Sequence, residues 1–249
     1  MKKLLLILAL LVVPATAHAG DVETTIAKHA STIGRKPPLA LQLHALGPKA
    51  LPSMLDMLAH DRATGTTKLA VIEAVGLHRD AHSVPVLAAL LAKEDSDYAT
   101  SRTVTEAIAR MESDDAVLRI TTALATAKGD RARGILAGMG SCHREGIAKA
   151  LAARASTTTD DATLLAIVRA LGDVGNAWAW QTLKSRSEES ATRALAARTL
   201  ADIYMHHTND VRTAAADALL VVDDPSTPAL VDAPLATRLA HNPARIPRP

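Results

Sequence analysis

The chain has 249 residues and a formal net charge of +2, from 28 basic and 26 acidic side chains, and it contains a single cysteine. A balance this close to neutral argues against a nucleic-acid partner or a charged membrane surface, and one cysteine excludes an internal disulfide. Aromatic residues make up only 2% of the sequence and phenylalanine is absent, so the core must consist of Ala, Leu, Ile and Val. Such side chains favour closely packed helices.

Residues 1–19 have the pattern of a secretory signal peptide. Two lysines precede an apolar run over residues 4–13, and small residues lead to an expected cleavage site after Ala19. The run is shorter than the roughly 20 apolar residues that a transmembrane helix needs, and no cysteine follows the site to carry a lipid. We therefore expect an exported protein, periplasmic or extracellular, that begins at Gly20 and has no membrane anchor. Removal of the two lysines leaves equal numbers of basic and acidic residues.

Residues 20–38 are predicted to form an N-terminal capping helix and a linker. Val22 and Ile26 share one side of a helix over residues 21–33, and Asp21 is suited to cap its first turn. A glycine and two prolines then end the helix.

A repeat of two helices is predicted over residues 39–222. In five successive units a small residue ends the first helix, and an aliphatic residue follows eleven positions later in the second. The pairs are Gly47 and Leu58, Gly76 and Leu87, Ala109 and Ile120, Gly140 and Leu151, and Gly172 and Leu183. A spacing of 29 to 33 residues, with no β pattern, is typical of helix pairs that bury their apolar faces only by stacking on neighbours. With a last pair over residues 190–222, the sequence predicts an all-α, right-handed α-α superhelix of about six helix pairs.

This pattern resembles HEAT repeats, and in particular the short HEAT-like repeats also found in phycobilisome lyases. The segments that carry the resemblance are residues 70–91, 166–183 and 192–203. In that family an apolar first helix ends in Leu-Gly and Val-Pro-x-Leu opens the second helix, which Val84, Pro85 and Leu87 match. The third and fourth units depart from the pattern, because Ala109 replaces the glycine and no proline opens the second helix.

Residues 223–249 are predicted to form a proline-rich C-terminal tail. Six of the twelve prolines lie in this segment, and a missing backbone N–H at each of them opposes a continuous helix or strand. We expect an extended chain that covers the last repeat, with at most one helical turn over residues 235–240.

The resemblance implies that the second helices line a concave surface, and hence a groove for a protein or peptide partner. The predicted groove residues are Asp56, His60, His82, Arg119, Lys149, Trp178, Gln181 and Ser185. They are small, neutral or of both signs, which suits a protein better than a polyanion. Trp178 is expected to face solvent as an anchor, whereas Trp180 occupies a core position. Packing of Trp178 under the tail or against the last helix pair is the alternative.

No residue pattern indicates catalysis, a cofactor or a metal. The glycines of residues 134–140 lack the strand and the Gly-Lys-Ser/Thr of a phosphate loop, so close helix packing explains them better. Cys142 and His143 lie in one predicted loop and His206 and His207 in another. We expect these two loops to lie on the same edge of the solenoid, where their side chains could converge on a metal, but the local ligand spacing of zinc sites is missing.

We therefore expect a monomeric, non-enzymatic binding or scaffold module. The alternative is an enzyme, either metal-assisted at the edge formed by those two loops or a lyase-like chaperone for a chromophore.

Overall fold

The computed structural model describes residues 15–32 and 36–242, and within these ranges all regular structure is helical. The predicted all-α class is confirmed. The helices are α1 (Ala15–Ser31), α2 (Leu39–His44), α3 (Leu51–Ala59), α4 (Gly65–His78), α5 (Val84–Ala92), α6 (Tyr98–Ala109), α7 (Asp114–Thr126), α8 (Gly129–Met139), α9 (Glu145–Ala155), α10 (Asp161–Val174), α11 (Ala177–Gln181), α12 (Glu189–His206), α13 (Asn209–Val222) and α14 (Ala233–Ala240).

Helix starts follow from local sequence. The side chains of Asp97, Ser113 and Asp160 each accept a hydrogen bond from a backbone N–H in the first turn of α6, α7 and α10, at 2.6 to 3.1 Å. Pro52 and Pro85 lie in the first turn of α3 and α5, where the missing N–H leaves no intrahelical bond unmade. These local signals explain why the chain breaks into many short helices.

Contacts between the helices define two rows. In the first row α2, α4, α6, α8, α10 and α13 each pack against the next, and in the second row α1, α3, α5, α7, α9 and α12 do the same. Successive helices alternate between the rows as far as α10. Each pair of successive helices therefore adds one helix to each row. The added helix buries the apolar face of the helix before it in the same row.

Small residues set the spacing within the first row. A Cβ on Gly138 of α8 would lie 2.5 Å from Thr105 Cβ of α6, and one on Gly76 of α4 would lie 2.7 Å from Ala107 Cα. A Cβ on Gly134 would lie 2.5 Å from the backbone oxygen of Tyr98. These contacts support the predicted close packing of residues 134–140 and leave no phosphate loop there.

The last predicted helix pair, over residues 190–222, is present as α12 and α13, which pack against each other. The order of the two rows changes at this pair, because α12 packs against α9 in the second row and α13 continues the first row against α10. The reason is that α11 has only five residues, so it does not fill the place beside α9. Glu188 holds the start of α12 there instead, accepting hydrogen bonds from Arg144 Nε at 2.9 Å and from the Glu145 N–H at 2.7 Å.

The C-terminal tail contains more helix than predicted, because the single turn expected over residues 235–240 is part of the eight-residue helix α14. Pro234 lies in the first turn of α14, where a proline disrupts nothing, and the Asp232 side chain caps that turn through the Leu235 N–H. Leu235 and Leu239 are buried. Tyr204 donates to Asp232 at 2.8 Å and holds this segment on α12. Residues 243–249 lie outside the described residues.

At the other end, the predicted capping helix is present as α1, and Val22 is completely buried where α1 packs on α3. The expected cleavage site after Ala19 falls within α1, and residues 1–14 of the predicted signal segment lie outside the described residues. None of the described helices is both long enough and apolar enough to cross a membrane.

The aliphatic position of the repeat generates a stability prediction. Leu87 is fully buried, whereas Leu183 follows the end of α11 and is only partly buried, contrary to its predicted burial. Leu87→Ala should lower the free energy of unfolding by about 2 to 5 kcal/mol, and Leu183→Ala by clearly less. Urea unfolding followed by circular dichroism measures both. Ala89→Ser, on the exposed face of α5, is the near-neutral control, and an equal loss at Ala89 and Leu87 would show that the helix faces are misassigned.

Candidate functional site

All eight predicted groove residues are exposed. Five of them belong to the second row or its turns, on α3, α5, α7 and α9, and they are Asp56, His60, His82, Arg119 and Lys149. Trp178 and Gln181 lie on α11, and Ser185 follows it. Because α12 occupies the place beside α9, the residues of α11 do not continue the second row. The eight residues therefore divide into two groups.

The charged members of the second row are paired with neighbours on their own helices. Arg119 contacts Asp115 at 3.1 Å and Lys149 contacts Glu145 at 2.8 Å, each one helical turn away. Exposed pairs of this kind contribute little stability, but they cancel the local charge. This surface therefore presents no field that would attract a polyanion.

A groove lies between α5 and α7, with a volume of about 500 Å³. Ala88, Ala89 and Ala92 of α5 line it, and their short side chains leave its floor open. Leu118 of α7 stands at its wall with 60% of its surface exposed. Arg119 lies beside it, paired as described. Arg131 also lines it, buried, with its Nε donating to the backbone oxygen of Leu91 at 3.0 Å. We call this surface the α5–α7 groove; apart from the two arginines, its lining is apolar or carries hydroxyl groups.

The two tryptophans differ as predicted. Trp180 is buried, and its indole N–H donates to the backbone oxygen of Val174 at 2.9 Å. Trp178 is 53% exposed on α11. Asn176 caps that helix through the backbone N–H groups of Trp178 and Ala179. A binding role for Trp178 stays a prediction.

The two predicted loops do not meet, so the expectation that they share an edge is wrong. Glu188 places the start of α12 beside Arg144, in the loop that holds Cys142. At a rise of 1.5 Å per residue, the eighteen residues of α12 carry His206 about 25 Å away from that start. Among the described residues no group of three or more His, Cys, Asp or Glu side chains is placed to hold a metal ion.

Cys142 itself is buried, with 1% of its surface exposed, rather than being an accessible loop thiol. Burial raises the pKa of its thiol to about 12, and the nearby carboxylates of Glu112 and Glu188 act in the same direction against the opposing charge of Arg144. A protonated, enclosed thiol is a poor nucleophile and a poor metal ligand.

A second concave surface lies where successive turns between helices meet, and we call it the edge cavity. Its volume is about 380 Å³. Arg79 follows α4, Arg110 follows α6, and Ser141, His143 and Arg144 follow α8; residues 180–188 close the far side. Three arginines from three different turns therefore surround one cavity.

Sequence reasoning did not identify these arginines. They lie three, one and four positions after the small residues Gly76, Ala109 and Gly140, so an alignment of the repeats does not superpose them. Their only common signal is a basic side chain close to the end of each first helix. The structure brings them together because the turns stack.

No protein-family model matches the chain, and no curated protein matches it.

The burial of Cys142 generates a prediction for its reactivity. Iodoacetamide reacts with the thiolate, so the folded protein at pH 8 should be alkylated at least about a hundredfold more slowly than protein unfolded in urea. Since the folded-state pKa lies above that of an exposed thiol, the protonated form favours folding at neutral pH, and this advantage is lost as the pH rises towards 12. Mass spectrometry follows the alkylation. Equal rates for folded and unfolded protein would show that the thiol is accessible.

Proposed function

We propose that the chain is a HEAT-like α-α solenoid that acts as an exported, monomeric, non-enzymatic binding module for a protein or peptide. The two helix rows support this proposal, because helix pairs that stack only on their neighbours are the architecture of such solenoids. The repeat of small and aliphatic residues over residues 39–222 supports it independently of the contacts.

The observation that carries the proposal is the α5–α7 groove. Two packed helices with alanines between them leave a channel into which a third set of side chains can fit, as ridges fit grooves between helices. Leu118 at the wall is a large apolar side chain exposed to solvent. Burying it under a partner removes apolar surface from water and so favours binding. An apolar floor with a polar rim is the usual composition of a protein interface.

The chemistry of the groove favours one kind of partner. Alanines form its floor, Arg119 is paired with Asp115, and the buried Arg131 donates to the backbone oxygen of Leu91. A partner that places small aliphatic side chains on the alanines, as an amphipathic helix does, buries its apolar face without leaving a charge unpaired. Trp178, exposed on α11, is a second predicted contact outside this groove.

The enzyme alternative has less support. Its metal-assisted form needed Cys142 and His143 to converge with His206 and His207, and the long helix α12 separates the two pairs. Of the two concave surfaces described above, the α5–α7 groove has no Trp or Tyr in its lining and the edge cavity has only the buried ring of Trp180, which gives its chromophore form little support.

The proposal is tested by filling the α5–α7 groove. Ala89→Arg places a long charged side chain on the floor and should reduce capture of the partner at least about tenfold, by steric block and by desolvation of the new charge. The bait is the mature chain, expected to begin at Gly20, and the source is the exported fraction. The affinity of the captured protein, once purified, is measured by calorimetry.

Ala162→Arg is the matched control, because Ala162 is equally small and exposed but lies on α10 of the first row. Both variants should melt within a few degrees of the wild type. If the partner binds Ala89→Arg as tightly as the wild type, the α5–α7 groove is not its binding site.

A further inference from the structure

The three arginines of the edge cavity differ in how many hydrogen bonds their guanidinium groups already make. Arg144 is fully engaged: its guanidinium contacts Glu188 at 2.9 Å, Asp114 at 2.5 Å and the backbone oxygen of Glu112 at 2.8 Å. It ties the turn after α8 to the turn after α6 and to the start of α12. Its role is therefore to build the wall of the cavity, and it has no fork of N–H groups left for a ligand.

Arg110 is different. Its side chain is partly buried in the cavity wall, and within residues 15–32 and 36–242 no carboxylate or backbone oxygen accepts a hydrogen bond from its guanidinium. A guanidinium has five N–H donors in a rigid plane, and the nitrogen atoms of Arg110 remain in contact with solvent rather than enclosed in the wall. Arg79, across the cavity, is exposed and lies 3.6 Å from Glu112, beyond hydrogen-bond distance. Arg110 and Arg79 therefore leave donors available to a bound acceptor.

The same wall contains one buried ring nitrogen that has no hydrogen-bond partner among the described residues. The Nε2 atom of His143 is shielded from solvent and makes no hydrogen bond. The ring of His143 lies edge-on to Trp180, with 5.6 Å between ring centroids. Burial lowers the pKa of His143 more than its backbone contacts and the nearby carboxylates raise it, so the imidazole is neutral at neutral pH. It therefore adds no charge to the cavity wall.

The remaining walls determine the kind of ligand. Leu183, which is partly exposed, provides an apolar surface next to the arginines, and the buried ring of Trp180 lies behind the cavity wall. This surface suits an apolar group attached to the charged one. Glu112 and Glu188 also line the cavity, so three positive side chains face two negative ones. Asp114 adds a third negative charge through its contact with Arg144, Glu112 faces Arg79, and Arg110 is the arginine of these three that has no carboxylate partner among the described residues. One such guanidinium matches a monoanion and disfavours a doubly charged phosphate.

We propose that the edge cavity binds a carboxylate that carries a small apolar group, with Arg110 as its forked partner and Leu183 beside the apolar group. Guanidinium and carboxylate match in a two-pronged, charge-assisted contact. A volume of about 380 Å³ lies at the small end of the range for ligand cavities. The carboxylate can come from a small organic acid or from the C-terminus of a peptide, since both present the same group.

The test uses three probes on the full chain: isovalerate, acetyl-Ala-Ala-Leu with a free C-terminus, and the C-terminal amide of that peptide. Binding is measured by calorimetry and by tryptophan fluorescence in a Trp178→Phe background, so that Trp180 is the only reporter. We expect at least one free acid to bind and the amide to bind at least tenfold more weakly. Binding of isovalerate alone identifies a small-acid site, and binding of the free-acid peptide identifies a C-terminus site.

Arg110→Met keeps the length of the side chain and removes its charge, and it should weaken binding of the free acid at least tenfold. Arg110→Lys keeps the positive charge but lacks the forked guanidinium, so its affinity for the free acid should lie between those of the wild type and Arg110→Met. Arg133→Met is the matched control, because Arg133 is exposed on α8 and pairs with Asp130 away from the cavity. Melting curves establish that each variant is folded.

Three results would overturn the proposal: equal binding of acid and amide, wild-type binding by a folded Arg110→Met, or tighter binding of inorganic phosphate than of either acid. The absence of binding by all probes would do the same. Ala89→Arg lies on a different surface and should leave these affinities unchanged, so this test is independent of the α5–α7 groove.

Discussion

The first-row helices can approach one another only where a side chain is missing. Gly76, Gly138 and Gly172 each face a neighbouring helix at a distance that would bring an added Cβ within about 3 Å of it. Every methylene added to such an interface must displace backbone or a buried side chain. The short distances keep successive turns in line with one another, and both concave surfaces follow from that alignment.

The edge cavity depends on this alignment most directly. Arg79, Arg110 and Arg144 belong to turns separated by about thirty residues each, and they face one cavity because their helices stack closely. The α5–α7 groove depends on the second row, where alanines on α5 leave space instead of filling it. The chain thus uses small residues in two ways, to bring helices together in one row and to leave an open surface in the other.

Features that recur at the same position of each repeat could be predicted from the sequence, whereas contacts outside that register could not. The helix pairs, the burial of Leu87 and Trp180, and the exposure of Trp178 follow from a register that recurs along the chain. In the second row α12, and not α11, packs beside α9. This placement depends on a contact between Arg144 and Glu188, which are forty-four residues apart, and no local sequence pattern reveals it. The arginines of the edge cavity occupy different positions of the repeat, so only the stacking of the turns brings them together.

The central claim is that close approach of the first-row helices organises the molecule, and Gly138→Ala tests it most directly. Helix propensity alone would make this change stabilising by about 1 kcal/mol. The added Cβ would instead lie 2.5 Å from Thr105 Cβ and 2.7 Å from the backbone oxygen of Arg102, and overpacking of this kind costs about 1 to 3 kcal/mol beyond that gain. Gly146→Ala, whose new methyl meets only a side-chain carbon of Val117, is the control. Urea unfolding should show Gly138→Ala to be less stable than both the wild type and Gly146→Ala, whereas a Gly138→Ala protein as stable as the wild type would contradict the account.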